Sequence, residues 1–222
     1  LVAQPPTRGR NRARNSTTPG AALDAEPQAV GLPQHLTLTH ASLAAALNQL
    51  GATRMECGAT TISITGTTAA NQCFYLALAA AVTTGREHHR PVAAELRTQI
   101  ESAVRAARPN WAAEDFLGRE VGAFADFLIW GLQAAPRLRA RAVAVYNERE
   151  GACEIFRSPH HAGRRATVLA LWFSSPGEGR LGHYYWLRFR SHHVTLGELL
   201  TAHRRAGGRG NRITTIVTDA VG

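Results

Sequence analysis

The order of helix-like and strand-like segments along the chain is the feature that most constrains its fold. Up to about residue 135, apolar residues recur at helical spacing in successive segments: "HASLAAALNQLGA", "CFYLALAAAV", "PVAAELRTQIESAVRAA" and "WAAEDFLGREVGAFADFLIWGLQAA". After Arg139 come short segments rich in branched and aromatic residues, "RAVAVYN", "CEIFR", "ATVLALWF" and "HYYWLRF", separated by turn formers. Helices followed by strands predict an α+β fold, with helices packed on one side of a small, mainly antiparallel, meander-like sheet.

We expect one folded domain with a segment on either side, because 222 residues suffice for a single core of ordinary size. Residues 1–33 are rich in Pro, Gly and polar residues and predict a disordered basic linker, residues 34–208 the domain, and residues 209–222 a C-terminal extension. Within the domain we expect Ser42 to cap the first helix and Gly51 to end it. The segment "TTISITG" predicts a strand, "TLGELLTAHRR" a helix and "RITTIVT" a last strand.

The composition excludes several classes of function. No apolar run reaches the roughly 18 to 20 residues that cross a bilayer, so we expect no membrane partner. The formal net charge of +9 comes from 25 basic residues that are all Arg, a bias typical of a GC-rich coding sequence. The arginines of the 1–33 segment predict a solvated tail, with weak RNA contact through that tail as the alternative. The chain starts at Leu1 without a signal-peptide pattern, and we interpret it as a piece of a longer protein.

The cysteine count indicates the compartment and the absence of cofactors. Three cysteines at wide spacings, Cys57, Cys73 and Cys153, match neither a disulfide framework nor a zinc site. We therefore expect a reducing compartment and no metal or organic cofactor.

Cys73 is the candidate nucleophile. It lies between a polar turn and an alanine-rich apolar segment, in "TTAANQCFYLALAAAVTTG". If Asn71 caps this helix, Cys73 lies in the first turn, where free backbone N–H groups and the helix dipole favour a thiolate and can hold an oxyanion. The alternative is a small buried hydrophobe, which is how free cysteine usually behaves and how we interpret Cys57 and Cys153.

His183 is the candidate general base, since a nucleophilic thiol needs one. It follows the turn "SSPGEGRLG" and opens the strand segment "HYYWLRF", where a rigid strand can direct it towards a helix N-terminus. The alternative is a strand-edge residue that stacks on its aromatic neighbours. The three His-His pairs lie in polar loops and are interpreted as solvated surface.

The two blocks "AANQCFYLAL" and "GHYYWL" together resemble the signature of ovarian-tumour (OTU) domain cysteine proteases, whose nucleophile block reads D-G-N-C-[LF]-[FY]-x-[AS]-[LI] and whose base lies in an H-Y block. The resemblance covers roughly residues 55 to 195 and is closest to the viral, papain-like members found in RNA-virus replicase polyproteins. It implies a papain-like α+β fold with Cys73 as nucleophile and His183 as base.

The chain departs from this signature at several positions. Ala70 stands where the family has the Asp that orders the oxyanion loop, so we expect Asn71 or Gln72 to support the oxyanion instead. Tyr185 stands where the family often has the Asp or Asn that orients the base. A Cys–His dyad then suffices, with Asn147 as a candidate third member.

The resemblance implies a thiol hydrolase of the host cytoplasm that cleaves after Gly, processes a viral polyprotein, removes ubiquitin or a ubiquitin-like protein from host proteins, or does both. Gly207-Gly208, which follows arginines as in the ubiquitin tail, is a candidate self-cleavage site, and Gly222 is a second one. Gly-Gly in a polar loop is also typical of a plain turn. The alternative function is a catalytically inactive basic domain that binds RNA or replicase partners.

Overall fold

The structure is a computed structural model and describes residues 34–39, 41–58, 62–63, 68–69, 72–83, 89–110, 131–132, 134–157, 164–174, 182–191, 193–208 and 212–215. The predicted basic linker 1–33 lies outside these residues. The helical segment predicted from Trp111 onwards also lies outside them, except for its last few residues.

Four helices are described: α1 (Ala41–Gln49), α2 (Gln72–Val82), α3 (His89–Ala107) and α4 (Leu196–Arg205). The first strands are β1 (Gln34–Thr39), β2 (Thr53–Met55), β3 (Ile62–Ser63) and β4 (Thr68–Ala69). The later strands are β5 (Arg141–Asn147), β6 (Ala152–Arg157), β7 (Thr167–Ser174), β8 (His183–Arg188) and β9 (Arg212–Thr215).

A seven-stranded sheet in the order β2-β8-β7-β5-β6-β1-β9 forms the centre of the molecule, and β3 and β4 form a separate hairpin. All neighbours in the large sheet are antiparallel except β5 and β7, which pair in parallel with Val143 opposite Leu169. The α+β class is confirmed, but the predicted meander is wrong, because β7 pairs with β5 and not with the preceding β6. The sheet is also larger than the predicted small one.

Helices cover both faces of the sheet. Along β7, Leu169 and Leu171 pack with α2 and α3 in one apolar core, whereas Val168 and Ala170 pack with α1 and α4 in a second core on the opposite face. The prediction that the helices lie on one side is therefore wrong. Alternation of side chains along a strand presents a different apolar row to each face, and each row needs its own helical cover.

Most local predictions agree with the described elements. The segments predicted as α2, α3, α4 and β5 to β9 are present, and Gly51 ends α1 with a positive φ of 63°. The helix α1 begins at Ala41, so the prediction of Ser42 as its cap is wrong, and Ser42 is buried within the first turn. The strand β9 pairs with β1, so the segment expected as a C-terminal extension contributes an edge strand to the sheet.

Candidate active site

Cys73 is the second residue of α2 and is only 2% exposed. From Cys73 to Ala80 every residue of α2 is buried, which matches a sequence that is apolar on all sides. The alanines favour the helix and let it approach β7 and β8 closely. The predicted position of Cys73 at the start of a buried helix is confirmed.

The strand β8 lies against α2 and brings the second predicted block to the first. His183 is the first residue of β8, and its side chain is 18% exposed. The next residue, Tyr184, packs edge-to-face on Phe74 with ring centroids 5.2 Å apart. The backbone N–H of Tyr184 lies close enough to the Cys73 thiol to lower its pKa. The residues that directly follow Cys73 and His183 are thus in contact, and the two sequence blocks meet in space.

The Cys73 thiol has a raised pKa. Burial raises it most, the backbone N–H groups of Tyr184, Phe74 and Cys73 itself lower it, and the negative charge of Glu56 raises it again. The first-turn N–H groups act in the direction expected from the sequence. The net direction is nevertheless opposite to the expected lowered pKa, because desolvation of the thiolate outweighs these donors.

Glu56 holds His183, and sequence reasoning missed this residue. The His183 Nε2 lies 2.8 Å from the Glu56 Oε1, which also accepts hydrogen bonds from the backbone N–H of Cys57 at 3.0 Å and of Gly58 at 3.1 Å. Burial raises the pKa of Glu56, but the hydrogen bonds from Gly58 and His183 together lower it by more. The pKa of Glu56 therefore lies below the ordinary carboxyl value. Glu56 is therefore ionised at neutral pH.

Pairing of β2 with β8 explains why Glu56 reaches His183. Met55 at the end of β2 lies opposite Trp186 of β8, so the next residue of the chain continues along the edge of β8 towards His183. Nothing in the local sequence "TRMECG" distinguishes Glu56 from a solvated acid. Only knowledge of this strand pairing could have identified it.

Tyr185 supports the imidazole in a different way. Its ring meets the His183 ring edge-to-face with centroids 4.6 Å apart. The guanidinium of Arg54 in turn lies 4.7 Å from the centre of the Tyr185 ring. In the family that the sequence resembles, this position often holds an Asp or Asn that orients the histidine. Here Tyr185 makes an aromatic contact with His183, and the carboxylate partner is Glu56, which follows β2.

Asn147, the candidate third member, closes the turn after β5. Its Oδ1 accepts hydrogen bonds from the backbone N–H of Arg149 at 3.1 Å and of Glu150 at 3.4 Å. The sheet register places it opposite Phe173, which lies opposite Tyr184. Asn147 is thus separated from β8 by the whole of β7, and the structure does not bring its side chain to His183.

Gly207 and Gly208 form the C-terminal cap of α4. The Gly207 N–H bonds to the Arg204 carbonyl and the Gly208 N–H to the His203 carbonyl, each at 3.0 Å, which is the Schellman pattern. Gly207 has a φ of 92°, and a side chain on Gly208 would collide with the His203 ring. Both glycines therefore have a structural role in the turn, and self-cleavage at this pair stays a prediction.

Of the two candidates for oxyanion support, Gln72 is the first residue of α2, and Asn71 lies outside the described residues. Gly222 also lies outside them. Among the residues that the structure describes, no group of three His, Cys, Asp or Glu side chains is placed to hold a metal ion, and no helix is long and apolar enough to span a membrane.

Comparison with known proteins adds no relative: no family model, no curated protein and no solved structure matches this chain.

Proposed function

We propose that this chain is a cysteine protease of the OTU-like, papain-like type, which hydrolyses peptide or isopeptide bonds after Gly. The observation that carries the proposal is the contact between the two blocks: Cys73 begins a buried helix, and the ring of the next residue, Phe74, packs on the ring of Tyr184, which follows His183. The His183 ring is itself held by a carboxylate. Nucleophile, base and orienting group are the three parts of such a site.

The reaction begins with proton transfer. Glu56 engages Nε2 of His183, so Nδ1 is the ring nitrogen that takes the Cys73 thiol proton. The sulfur then attacks the carbonyl carbon, and the backbone N–H of Cys73, with Asn71 or Gln72, stabilises the oxyanion. His183 returns the proton to the leaving amine, and a thioester forms. A water molecule, deprotonated by His183, cleaves the thioester and restores the thiol.

Glu56 is the third member in this proposal, in place of Asn147. A carboxylate on the far nitrogen orients the imidazole and stabilises the imidazolium formed on proton transfer. Because the resting thiol of Cys73 has a raised pKa, the enzyme activates it by general-base catalysis when substrate is bound, without a preformed ion pair.

The proposed substrates are ubiquitin or ubiquitin-like conjugates of host proteins and junctions of a viral polyprotein, in the host cytoplasm. Three free cysteines among the described residues suit a reducing compartment. The specificity for Gly rests on the OTU-like resemblance of the two sequence blocks.

The test is reaction with ubiquitin that carries a C-terminal electrophile. We expect a covalent adduct with the wild-type protein, none with Cys73→Ala and slow formation with His183→Ala. Cys57→Ala and Cys153→Ala are matched controls and should react as the wild type does. No adduct with the wild-type protein, or an adduct that Cys73→Ala still forms, would refute the protease assignment.

A longer protein that extends past Gly222 tests polyprotein processing. Mass spectrometry should find a cut after Gly208 or Gly222 that disappears with Cys73→Ala. Absence of any Cys73-dependent cut would exclude self-cleavage at these glycines and leave the hydrolysis of ubiquitin conjugates to be judged by the adduct experiment alone.

A further inference from the structure

A basic groove lies at the end of the sheet opposite the candidate active site. A cavity of about 720 Å³ between the end of α1 and one side of α4 adjoins a second one of about 510 Å³ beside β2 and β8, and Arg190 lines both. We call the two together the basic groove, after the three arginines that line it: Arg188, Arg190 and Arg205.

All three arginines of the basic groove are exposed, and none has a carboxylate partner among the residues that the structure describes. The single acid in the lining is Glu198, whose Oε2 accepts hydrogen bonds from the N–H and hydroxyl of Thr195. Backbone and hydroxyl donors of Thr195 lower the pKa of Glu198, so this carboxylate is committed to the helix cap. The groove therefore carries an excess of two positive charges.

The backbone positions these guanidinium groups. The Arg190 N–H bonds to the Leu50 carbonyl at 3.2 Å, and Arg188 pairs with Thr53 in the sheet. The Arg190 side chain crosses Gly51, where a Cβ would lie 2.9 Å from the Arg190 Cβ and 3.2 Å from its Nε. The absence of a side chain at Gly51 thus lets Arg190 lie against the end of α1, at the edge of the groove.

We propose that the basic groove binds the phosphate backbone of single-stranded RNA without sequence preference. Guanidinium groups match phosphate oxygens in geometry and charge, and Gln49, Ser191 and Thr201 in the same lining add uncharged donors. The one aromatic residue in the lining, Phe189, is buried, so it offers no ring on which a base could stack.

A chain of phosphates fits this surface better than a membrane does. The groove is concave, and of its larger apolar lining residues Val194 and Phe189 are buried and Leu50 is half-buried, so the groove presents little apolar surface for insertion into lipid. A linear polyanion carries several phosphates and can therefore pair with more than one of the three arginines.

The groove and the candidate active site lie at opposite ends of β8. His183 is the first residue of the strand and Arg188 the last, a separation of roughly 17 Å at the usual rise per residue. RNA in the groove would therefore leave the Cys73 region open, and the inference does not depend on the proposed protease activity.

The test compares two variants of the full chain with equal net charge. Arg190→Gln with Arg205→Gln removes two groove charges, and Arg90→Gln with Arg149→Gln removes two exposed charges elsewhere. Binding of a fluorescent single-stranded RNA of about 15 nucleotides is followed by anisotropy between roughly 50 and 200 mM salt. The arginines of residues 1–33 are intact in both variants and contribute equally.

The slope of log affinity against log salt is negative, and we expect it to become shallower by about 1.4 in the groove variant. Each phosphate contact to single-stranded nucleic acid contributes about 0.7 to the steepness of this slope. The control variant should change the slope by less than about 0.5. Equal slopes in the two variants would overturn the proposal. Loss of binding to vesicles rich in anionic lipid, with RNA binding unchanged, would overturn it in favour of a membrane surface. Equal melting temperatures and equal Cys73 labelling verify that both variants are folded.

Discussion

Replacement of Glu56 by Gln tests the link between the β2 edge and the proposed base. The amide oxygen of Gln can still accept hydrogen bonds from the N–H groups of Cys57 and Gly58, so the local loop is retained. The negative charge that Glu56 places beside His183 is lost. A hydrogen bond to a charged group contributes about 1.5–3 kcal/mol. Because 57% of the Glu56 side chain is exposed, solvent screening reduces this to about 1–2 kcal/mol.

In rate, this free energy corresponds to a fall of about 5- to 30-fold in kcat/KM. The assay is hydrolysis of a fluorogenic ubiquitin derivative at neutral pH, and Glu150→Gln, an exposed acid in the β5–β6 turn, is the control. The rate of covalent adduct formation with ubiquitin that carries a C-terminal electrophile provides a second readout, in which Cys73 reacts with substrate bound. The melting temperature should change little.

The pH dependence gives a second check with a defined sign. Burial raises the pKa of Glu56, but the hydrogen bonds from Gly58 and His183 lower it by more, so the pKa in the folded protein is below the ordinary value of 4.5. When the pKa of a carboxyl is lower in the folded than in the unfolded protein, the favourable interactions of its ionised form are fully present above the unfolded-state pKa. They are lost as the pH falls through the folded-state pKa. The ratio of wild-type to Glu56→Gln activity should therefore be smaller below pH 4.5 than at neutral pH.

A role for Glu56 in catalysis would be refuted by a Glu56→Gln variant that stays within about twofold of the Glu150→Gln control in both readouts. It would also be refuted by a rate ratio that is unchanged between neutral pH and acid pH, since a charge effect must disappear when the carboxylate is protonated.

Three further predictions concern stability and thiol reactivity. Gly208→Ala should lower the free energy of unfolding by about 1–3 kcal/mol, because the new Cβ meets the His203 ring. Gly151→Ala is the control, since its Cβ enters open space and only the positive φ of this residue costs free energy. Thermal melts compare the two variants. Thr195→Ala should cost about 1 kcal/mol by removing the cap of α4, and Thr195→Ser, which retains the hydroxyl, should restore most of it in urea titrations. Burial raises the pKa of the Cys153 thiol to about 12, so alkylation at pH 8 should modify it only in the unfolded protein; rapid modification of the native chain would contradict its burial.

Much of the local structure could be predicted from the sequence, because it depends on short-range patterns. The apolar spacing of α3 and the branched residues of "RAVAVYN" and "ATVLALWF" predicted elements that the structure contains at nearly the same bounds. The one clear local error, Ser42 as a cap, arose because a hydroxyl near a helix start is common and its burial is not visible in the sequence. The position of Cys73 in the first turn of a buried helix also followed from local pattern.

Pairing between distant segments could not be predicted, since alternating strands carry no label for their neighbours. The parallel pairing of β5 with β7 and the helical cover on both faces are consequences of the whole sheet. The sequence offered Asn147 as a candidate third member, and only the register shows that β7 separates it from β8.

The sequence by itself thus determined the helices and strands, the class of fold and the two blocks that contain Cys73 and His183, because periodicity and residue type act within a few residues. Tertiary structure decided that these blocks touch through Phe74 and Tyr184, that Glu56 is the partner of His183, and that burial raises the pKa of the thiol. Each of these properties depends on groups that are far apart in the chain and close in space, and desolvation in particular exists only once the core has formed.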